Sequence, residues 1–119
     1  MSTSLMHELG IMSSAIAAIL VEAERHGAQS IQRIVLRIGV LSGADPAALR
    51  FAFEIAAAGS LAAGAALEIE TVSARAHCSN CAADFPADDG FICTCPTCGA
   101  LSGDLRSGRE LAVSRLEFT

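Results

Sequence analysis

Two Cys-x-x-Cys pairs set the strongest constraint on what this 119-residue chain can fold into. The pairs are Cys78/Cys81 and Cys95/Cys98, and 13 residues (82–94) separate them. A two-residue spacing lets both thiolates of a pair turn toward one ion, and four thiolates in a tetrahedral arrangement favour Zn²⁺. The spacing therefore predicts a zinc-ribbon-like module with a structural four-cysteine site.

The same cysteine pattern has two competing interpretations. A rubredoxin-like knuckle, suggested by "CPTCG" at 95–99, would hold iron for electron transfer. A thioredoxin-like redox pair needs its cysteines at the start of a helix, and neither pair precedes a helical pattern. The fifth cysteine, Cys93, is interpreted as a small buried or partly exposed residue outside the site, and His77 as a flanking side chain rather than a ligand.

The segment 75–105, which carries all five cysteines, lacks the apolar periodicity of the rest of the chain. Gly, Pro and Asp are frequent in it, so we expect that it has no hydrophobic core of its own and that a metal ion organises it. The sequence thus predicts a zinc-binding domain at 75–105. Residues 1–74 and 106–119 would form a separate α/β domain.

Helical patterns occupy two parts of this α/β domain. Apolar residues at helical spacing over 7–25 predict a first helix, which Gly27 would end. Asp45 followed by Pro46 is an N-cap signature, and it predicts a second helix that continues to Gly59.

Three strand patterns accompany the two helices. Alternating apolar residues predict strands in "IQRIVLRIGV" (31–40), "ALEIETV" (66–72) and "ELAVSRLEF" (110–118). The alternation of the last strand changes phase near Ser114 and Arg115, which a β-bulge would explain. The expected fold class is α+β: two helices packed on a small, mainly antiparallel three-stranded sheet, with an inserted zinc-ribbon-like module.

Charge and hydropathy argue against several functional classes. The net charge is −5, and the eight basic residues are arginines spread singly along the chain, so no basic face for nucleic acid is expected. No apolar run reaches the ~18–20 residues of a membrane span, and the first twenty residues lack the basic region of a signal peptide. We therefore expect a cytoplasmic protein without nucleic-acid or membrane partners. No catalytic Ser/His/Asp or Cys/His set and no phosphate-binding loop is evident, so the chain is not expected to be an enzyme.

Three stretches, in this order, resemble the HypA/HybF family of hydrogenase nickel-insertion proteins. They are "MHELGIMSSAI" at 6–16, "RIGVLSGADPAALRFAFEIAAAGSLAAGAALEIE" at 37–70, and the two Cys-x-x-Cys pairs. The resemblance covers nearly the whole chain from Met6. It implies a nickel metallochaperone with structural Zn²⁺ on the four paired cysteines and Ni²⁺ as transient cargo.

The resemblance also implies which residues hold nickel and which proteins receive it. His7 would be the main nickel ligand, Glu8 an auxiliary or backbone ligand, and Asp45 an acid near the site. An imidazole suits Ni(II), which favours square-planar nitrogen coordination. The implied client is the large subunit of [NiFe]-hydrogenase, and the implied partner is a GTPase of the HypB type. We expect the chain to be a monomer or a homodimer.

The chain departs from the family pattern at its beginning. Members of the family begin with Met-His-Glu, whereas here "MSTSL" precedes Met6, so the α-amine is not adjacent to His7. An amine-anchored chelate cannot form in the same way with these residues present, and we expect weaker nickel binding. Two alternative functions remain at this point: a zinc-ribbon protein–protein adaptor without nickel transfer, and a rubredoxin-like iron electron carrier.

Overall fold

The computed structural model describes residues 3–87 and 93–119 of the chain. Residues 88–92, which belong to the predicted cysteine segment, and residues 1–2 lie outside this description. The chain divides into two compact units. Unit 1 comprises Met1–Arg37, Ala44–Glu70 and Ala112–Thr119, and unit 2 comprises Ile38–Gly43 and Thr71–Leu111.

Two helices and eight strands are described. The helices are α1 (Thr3–Arg25) and α2 (Pro46–Ala57). The strands are β1 (Ile31–Gly39), β2 (Ala66–Val72), β3 (Arg75–Cys78), β4 (Ala83–Pro86), β5 (Cys93–Thr94), β6 (Leu101–Ser102), β7 (Leu105–Ser107) and β8 (Leu111–Phe118).

Both helices form where the sequence predicts them, and α1 packs against α2 in unit 1. The apolar stripe of α1 is buried, and Gly27 follows the helix with φ 65°, a left-handed conformation that glycine adopts without strain. Asp45 caps α2: its backbone is extended and its Oδ1 accepts the N–H of Ala47 at 3.3 Å. Capping and apolar periodicity therefore determine both helices locally.

The three predicted long strands form one sheet in the order β2-β1-β8. Ser30 and Thr119 exchange both backbone hydrogen bonds, at 3.2 and 3.0 Å, which is the pattern of an antiparallel pair and aligns the start of β1 with the end of β8. The central strand buries Ile34, Leu36 and Ile38, as its alternation predicts. The predicted α+β class, with two helices and a three-stranded sheet, is confirmed.

Contacts of β8 bear on the predicted change of phase. Ser114 Oγ lies 3.4 Å from Glu70 Oε1, and Glu117 Oε2 lies 3.4 Å from Arg33 Nη1. The other terminal nitrogen of Arg33, Nη2, pairs with Glu68 on β2. In a regular strand, residues three apart point to opposite faces. These contacts therefore fit a change of phase between Ser114 and Glu117.

Within the described residues, one helix is long and apolar enough to cross a membrane by length and composition alone, namely the Leu5–Arg25 part of α1. This test averages hydropathy over the helix, whereas the sequence analysis looked for an uninterrupted apolar run, and His7, Glu8, Ser13 and Ser14 interrupt this one. Core helices of soluble proteins pass the same test, and the buried residues of this helix are Glu8, Met12, Ile16, Ile19 and Ala23, which lie on one face.

Unit 2 contains short strands that the sequence did not predict. One sheet has the order β4-β3-β7, with both pairs antiparallel, and β5 pairs antiparallel with β6. Strands of two to four residues are too short to show a period of two, so no pattern indicated them.

A small hydrophobic cluster lies inside unit 2, contrary to the expectation that this part of the chain has no core of its own. Its buried members are Ala74, Ala76, Cys78, Phe85, Ala87, Cys93 and Cys95. Small residues and a single phenylalanine produce no recognisable periodicity, which is why the sequence did not reveal the cluster. Two of the paired cysteines belong to it, so the metal site and the core are continuous.

Candidate metal centres

The four paired cysteines lie at two turns, each of which follows a short strand. Cys78 is the last residue of β3 and Cys81 lies in the turn that leads to β4; Cys95 follows β5 directly and Cys98 lies in the turn before β6. In the second turn, the Gly99 N–H donates to the carbonyl of Cys95 at 2.9 Å, and Gly99 has φ 77°. Each strand therefore delivers one buried thiol, and each turn folds back to add one exposed thiol.

The sulfur atoms lie close enough to share one ion. All four are within 4.8 Å of one another, with Cys78–Cys98 at 3.5 Å and Cys81–Cys95 at 4.0 Å. Tetrahedral zinc with Zn–S bonds of about 2.3 Å requires sulfur atoms about 3.8 Å apart. All five cysteines lie within the described residues, and none forms a disulfide. The donor set and its spacing fit a tetrahedral metal ion.

Hydrogen bonds give the thiols of this cluster different acidities. The backbone N–H groups of Cys98 and Thr97 lower the pKa of the Cys95 thiol to about 6, because they stabilise the thiolate. Hydrogen bonds from Cys81 to the sulfurs of Cys98 and Cys78 raise the pKa of Cys81 to about 12, since they favour its protonated form. The Cys95 thiol therefore loses its proton more readily than the Cys81 thiol, whose proton an incoming ion must displace.

Cys93 and His77 do not join the sulfur cluster. Cys93 is buried in the hydrophobic cluster of unit 2, as its interpretation as a small buried residue predicts. His77 pairs with Asp84 across the β3–β4 ladder, with its Nδ1 2.8 Å from Asp84 Oδ1. The group of close metal-ligating side chains in this unit consists of the four paired cysteines without His77.

His7 and Glu8 differ sharply in their environment within unit 1. The side chain of His7 is 56% exposed, whereas that of Glu8 is fully buried. The two side chains are nevertheless in contact, with His7 Nδ1 3.1 Å from Glu8 Oε1. An exposed imidazole is therefore within hydrogen-bond distance of a buried carboxyl group.

Asp45, the third residue implied near the nickel site, meets Glu8 through its backbone. The Asp45 N–H donates to Glu8 Oε2 at 2.9 Å, although 37 positions separate the two residues. The Asp45 carboxylate itself caps α2. The fold thus brings all three residues together, with Glu8 in the middle.

The burial of Glu8 was not predicted, since the resemblance implied only that this residue is an auxiliary or backbone ligand of nickel. A signal was present in the sequence. Glu8 lies four residues before Met12 and eight before Ile16, so it continues the stripe that α1 buries. An acid within an apolar stripe needs polar partners, and His7 and Asp45 provide them.

Comparisons with known proteins agree with this architecture. A family model described as "Hydrogenase/urease nickel incorporation, metallochaperone, hypA" matches residues 6–118. The hydrogenase maturation factor HypA of Picosynechococcus sp. is 43% identical over 112 residues, which cover 94% of this chain and 98% of that protein. The hydrogenase maturation factor HypA of Geobacter sulfurreducens is 42% identical over the same shares of both chains.

Solved structures show the same fold. The solution structure of a HypA protein superposes with a TM-score of 0.72 at 27% identity, covering 96% of this chain and 97% of that one. The solution structure of the Ni metallochaperone HypA from Helicobacter pylori superposes with a TM-score of 0.66, also at 27% identity, covering 93% of this chain and 96% of that one. From the residues matched, the two helices and the four-cysteine site, the chain belongs to the HypA family of metallochaperones for nickel incorporation into hydrogenase and urease.

Proposed function

We propose that the protein binds Ni(II) at His7 and passes it to the large subunit of [NiFe]-hydrogenase during maturation. The observation that carries the proposal is the exposed His7 imidazole, whose Nδ1 is held at 3.1 Å by the fully buried Glu8. Family membership gives the cargo, and this contact supports the position of the ligand.

Glu8 acts as the group that orients His7. As a carboxylate, Glu8 only accepts hydrogen bonds, so the His7 nitrogen that faces it carries the proton. The other ring nitrogen, Nε2, then presents its lone pair to a metal ion. Metal-binding histidines commonly have a carboxylate on the second nitrogen in this way.

Asp45 completes this arrangement from α2. Its N–H holds the second oxygen of Glu8, so the acid is bound on both sides and cannot turn toward solvent without losing a buried hydrogen bond. In this conformation Glu8 supports the nickel ligand rather than serving as one. Its role as an auxiliary ligand would require the helix start to rearrange.

The two sites would hold their ions differently. The four cysteines would hold Zn²⁺ in a closed site that stabilises the fold of unit 2. Residues 75–105 would be the zinc-binding domain, and residues 1–74 and 106–119 the nickel-binding domain. An ion at the exposed His7 keeps open coordination positions, so a client can compete for it. The protein would therefore act as a carrier rather than an enzyme. It would work in the cytoplasm, and a HypB-type GTPase would supply nucleotide hydrolysis. The zinc-ribbon adaptor and the rubredoxin-like carrier are not favoured by the family match.

The proposal is tested by nickel titration of the zinc-loaded protein and of two histidine variants. His7→Ala should lose measurable nickel binding with its zinc content unchanged. His26→Ala is the matched control, because the His26 side chain is also 56% exposed and also pairs with an acid, Glu22, at 3.0 Å. Nickel binding that survives His7→Ala, or that is lost equally in both variants, would refute the assignment.

The residues before Met6 offer a second test. Since α1 begins at Thr3, the amide of His7 lies beyond the first four N–H groups of the helix and is engaged in the helical hydrogen-bond pattern. Removing residues 1–5 frees this amide and places an α-amine on Met6, so nitrogen chelation around nickel becomes available. The shortened protein should bind Ni(II) at least about tenfold more tightly. Equal affinities in calorimetry would show that the amine and the amide play no part.

A further inference from the structure

The four-cysteine site of unit 2 has one exposed and one buried sulfur at each of its two turns. Cys81 and Cys98 are exposed, whereas Cys78 and Cys95 are buried. A cysteine reacts with a dissolved oxidant where solvent reaches its sulfur, so a small oxidant meets Cys81 and Cys98 first. Each turn therefore presents one sulfur that can be attacked and one that is shielded.

Each exposed sulfur lies beside the buried sulfur of the other turn. Cys98 Sγ is 3.5 Å from Cys78 Sγ, and Cys81 Sγ is 4.0 Å from Cys95 Sγ. A disulfide bond is about 2.05 Å long, so side-chain rotations that bring the two sulfurs of a pair about 1.5–2 Å closer would allow the bond to form. Both exposed sulfurs thus have a buried partner on the opposite turn.

The fifth cysteine is separate from these pairs. Cys93 is 9% exposed and belongs to the hydrophobic cluster that contains Phe85. It is not a member of the group of four sulfurs that lie within 4.8 Å of one another. An oxidant that consumes the paired cysteines should therefore leave the thiol of Cys93 intact.

We propose that a hydroperoxide converts the four-cysteine site into two disulfides, Cys78–Cys98 and Cys81–Cys95, and so reversibly ends metal binding by unit 2. The O–O bond of the peroxide breaks: one oxygen goes to the exposed sulfur as a sulfenic acid, and the other leaves as hydroxide. The buried thiolate then attacks the exposed sulfur, the S–O bond breaks and a second hydroxide leaves. Each disulfide thus oxidises two thiolates and reduces one peroxide.

The two disulfides would join the turn after β3 to the turn after β5 in place of the ion. Their ends lie 20 and 14 positions apart along the chain, and cross-links of this kind restrict the unfolded chain. Unit 2 would therefore remain folded after oxidation and could bind an ion again after reduction. The proposal rests on the cysteine site and not on nickel binding at His7, which the nickel titrations test separately.

Treatment of the full zinc-loaded chain with hydrogen peroxide tests the proposal. At about two equivalents of peroxide per chain, the zinc content should fall from one ion to less than about a tenth. One of the five cysteines should still react with iodoacetamide, and peptide mass spectrometry should find Cys78–Cys98 and Cys81–Cys95. The dispersed NMR signals of unit 2 should survive oxidation, whereas a chelator used under reducing conditions should abolish them. Dithiothreitol followed by zinc should restore the zinc content.

Two variants sharpen the test. Cys93→Ala should lose zinc at the same peroxide concentration as the wild type and should retain no reactive thiol. Cys98→Ser, oxidised without zinc, should form Cys81–Cys95 and leave Cys78 reduced. The proposal would be overturned by zinc that stays bound once the peroxide is consumed. Disulfides within the Cys-x-x-Cys pairs or to Cys93, or zinc loss that dithiothreitol does not reverse, would overturn it as well.

Discussion

The four-cysteine site of unit 2 and the His7 site of unit 1 are built on opposite plans. The cysteines bring four donors within 4.8 Å, and two of them belong to the hydrophobic cluster of their unit. His7 brings one exposed imidazole, and the group that controls it, Glu8, is buried behind it. In the four-cysteine site two of the ligands, Cys78 and Cys95, are themselves part of a hydrophobic core. In the His7 site the ligand is exposed, and only Glu8, which orients it, is buried.

Under the proposed function, this difference would let one small chain keep one ion and release another. A closed four-thiolate site leaves no position for an incoming ligand, so exchange requires the local fold to open. A single imidazole held by an acid leaves the other coordination positions to water or to a client. In the proposed nickel site, the buried Glu8 would keep the imidazole oriented without enclosing the ion.

The largest effect is expected from removing one exposed sulfur. Cys98→Ser should lower the zinc content from one ion per chain to less than about a tenth, since the apparent zinc-binding free energy of such sites is about 10–16 kcal/mol. Unit 2 should lose its dispersed NMR signals, while the signals of α1 and α2 persist. Cys93→Ala is the control and should retain zinc, because Cys93 lies outside the sulfur cluster. Equal zinc loss in both variants would mean that the site has been misassigned.

The next largest effect concerns the backbone of unit 2. A methyl group at Gly39 would overlap the backbone of Gly108, so Gly39→Ala should lower the free energy of unfolding by about 3 kcal/mol. Gly10→Ala in α1 is the matched control: nothing lies within 4 Å of the added methyl group, and alanine should stabilise the helix by about 0.5–1 kcal/mol. Urea unfolding of the zinc-loaded proteins measures both changes, and the same sign for both would contradict the structure.

The smallest expected effect is a weaker nickel affinity when Glu8, which orients the His7 ring, is changed and His7 itself is kept. Glu8→Gln keeps the shape of the side chain but replaces one acceptor oxygen, so it should weaken nickel binding by about 10–100-fold and leave zinc content unchanged. Glu22→Gln, which alters the acid paired with His26 at the other end of α1, should leave nickel binding as it is. If Glu8→Gln leaves the nickel affinity unchanged, nickel binding by His7 does not depend on the orientation of its ring by Glu8.

Local sequence patterns were sufficient for much of this molecule. The apolar period of α1, the Asp45–Pro46 cap of α2 and the alternation of β1 and β2 all predicted the elements that form, because each depends on neighbours within a few residues. The spacing of the cysteine pairs predicted the composition of the sulfur cluster for the same reason. With only two residues between the cysteines of a pair, few conformations of the turn are possible, and the two sulfur atoms stay close together.

Tertiary structure alone decided how the proposed nickel site is supported and how unit 2 is filled. The bond from the Asp45 N–H to Glu8 joins residues 37 positions apart, and no local pattern encodes such a contact. The cluster around Phe85 likewise assembles from small residues on several short strands. Periodicity records which side chains share a face of one element. Which elements those faces meet depends on the packing of the whole chain, and that packing makes Glu8 a buried support for His7.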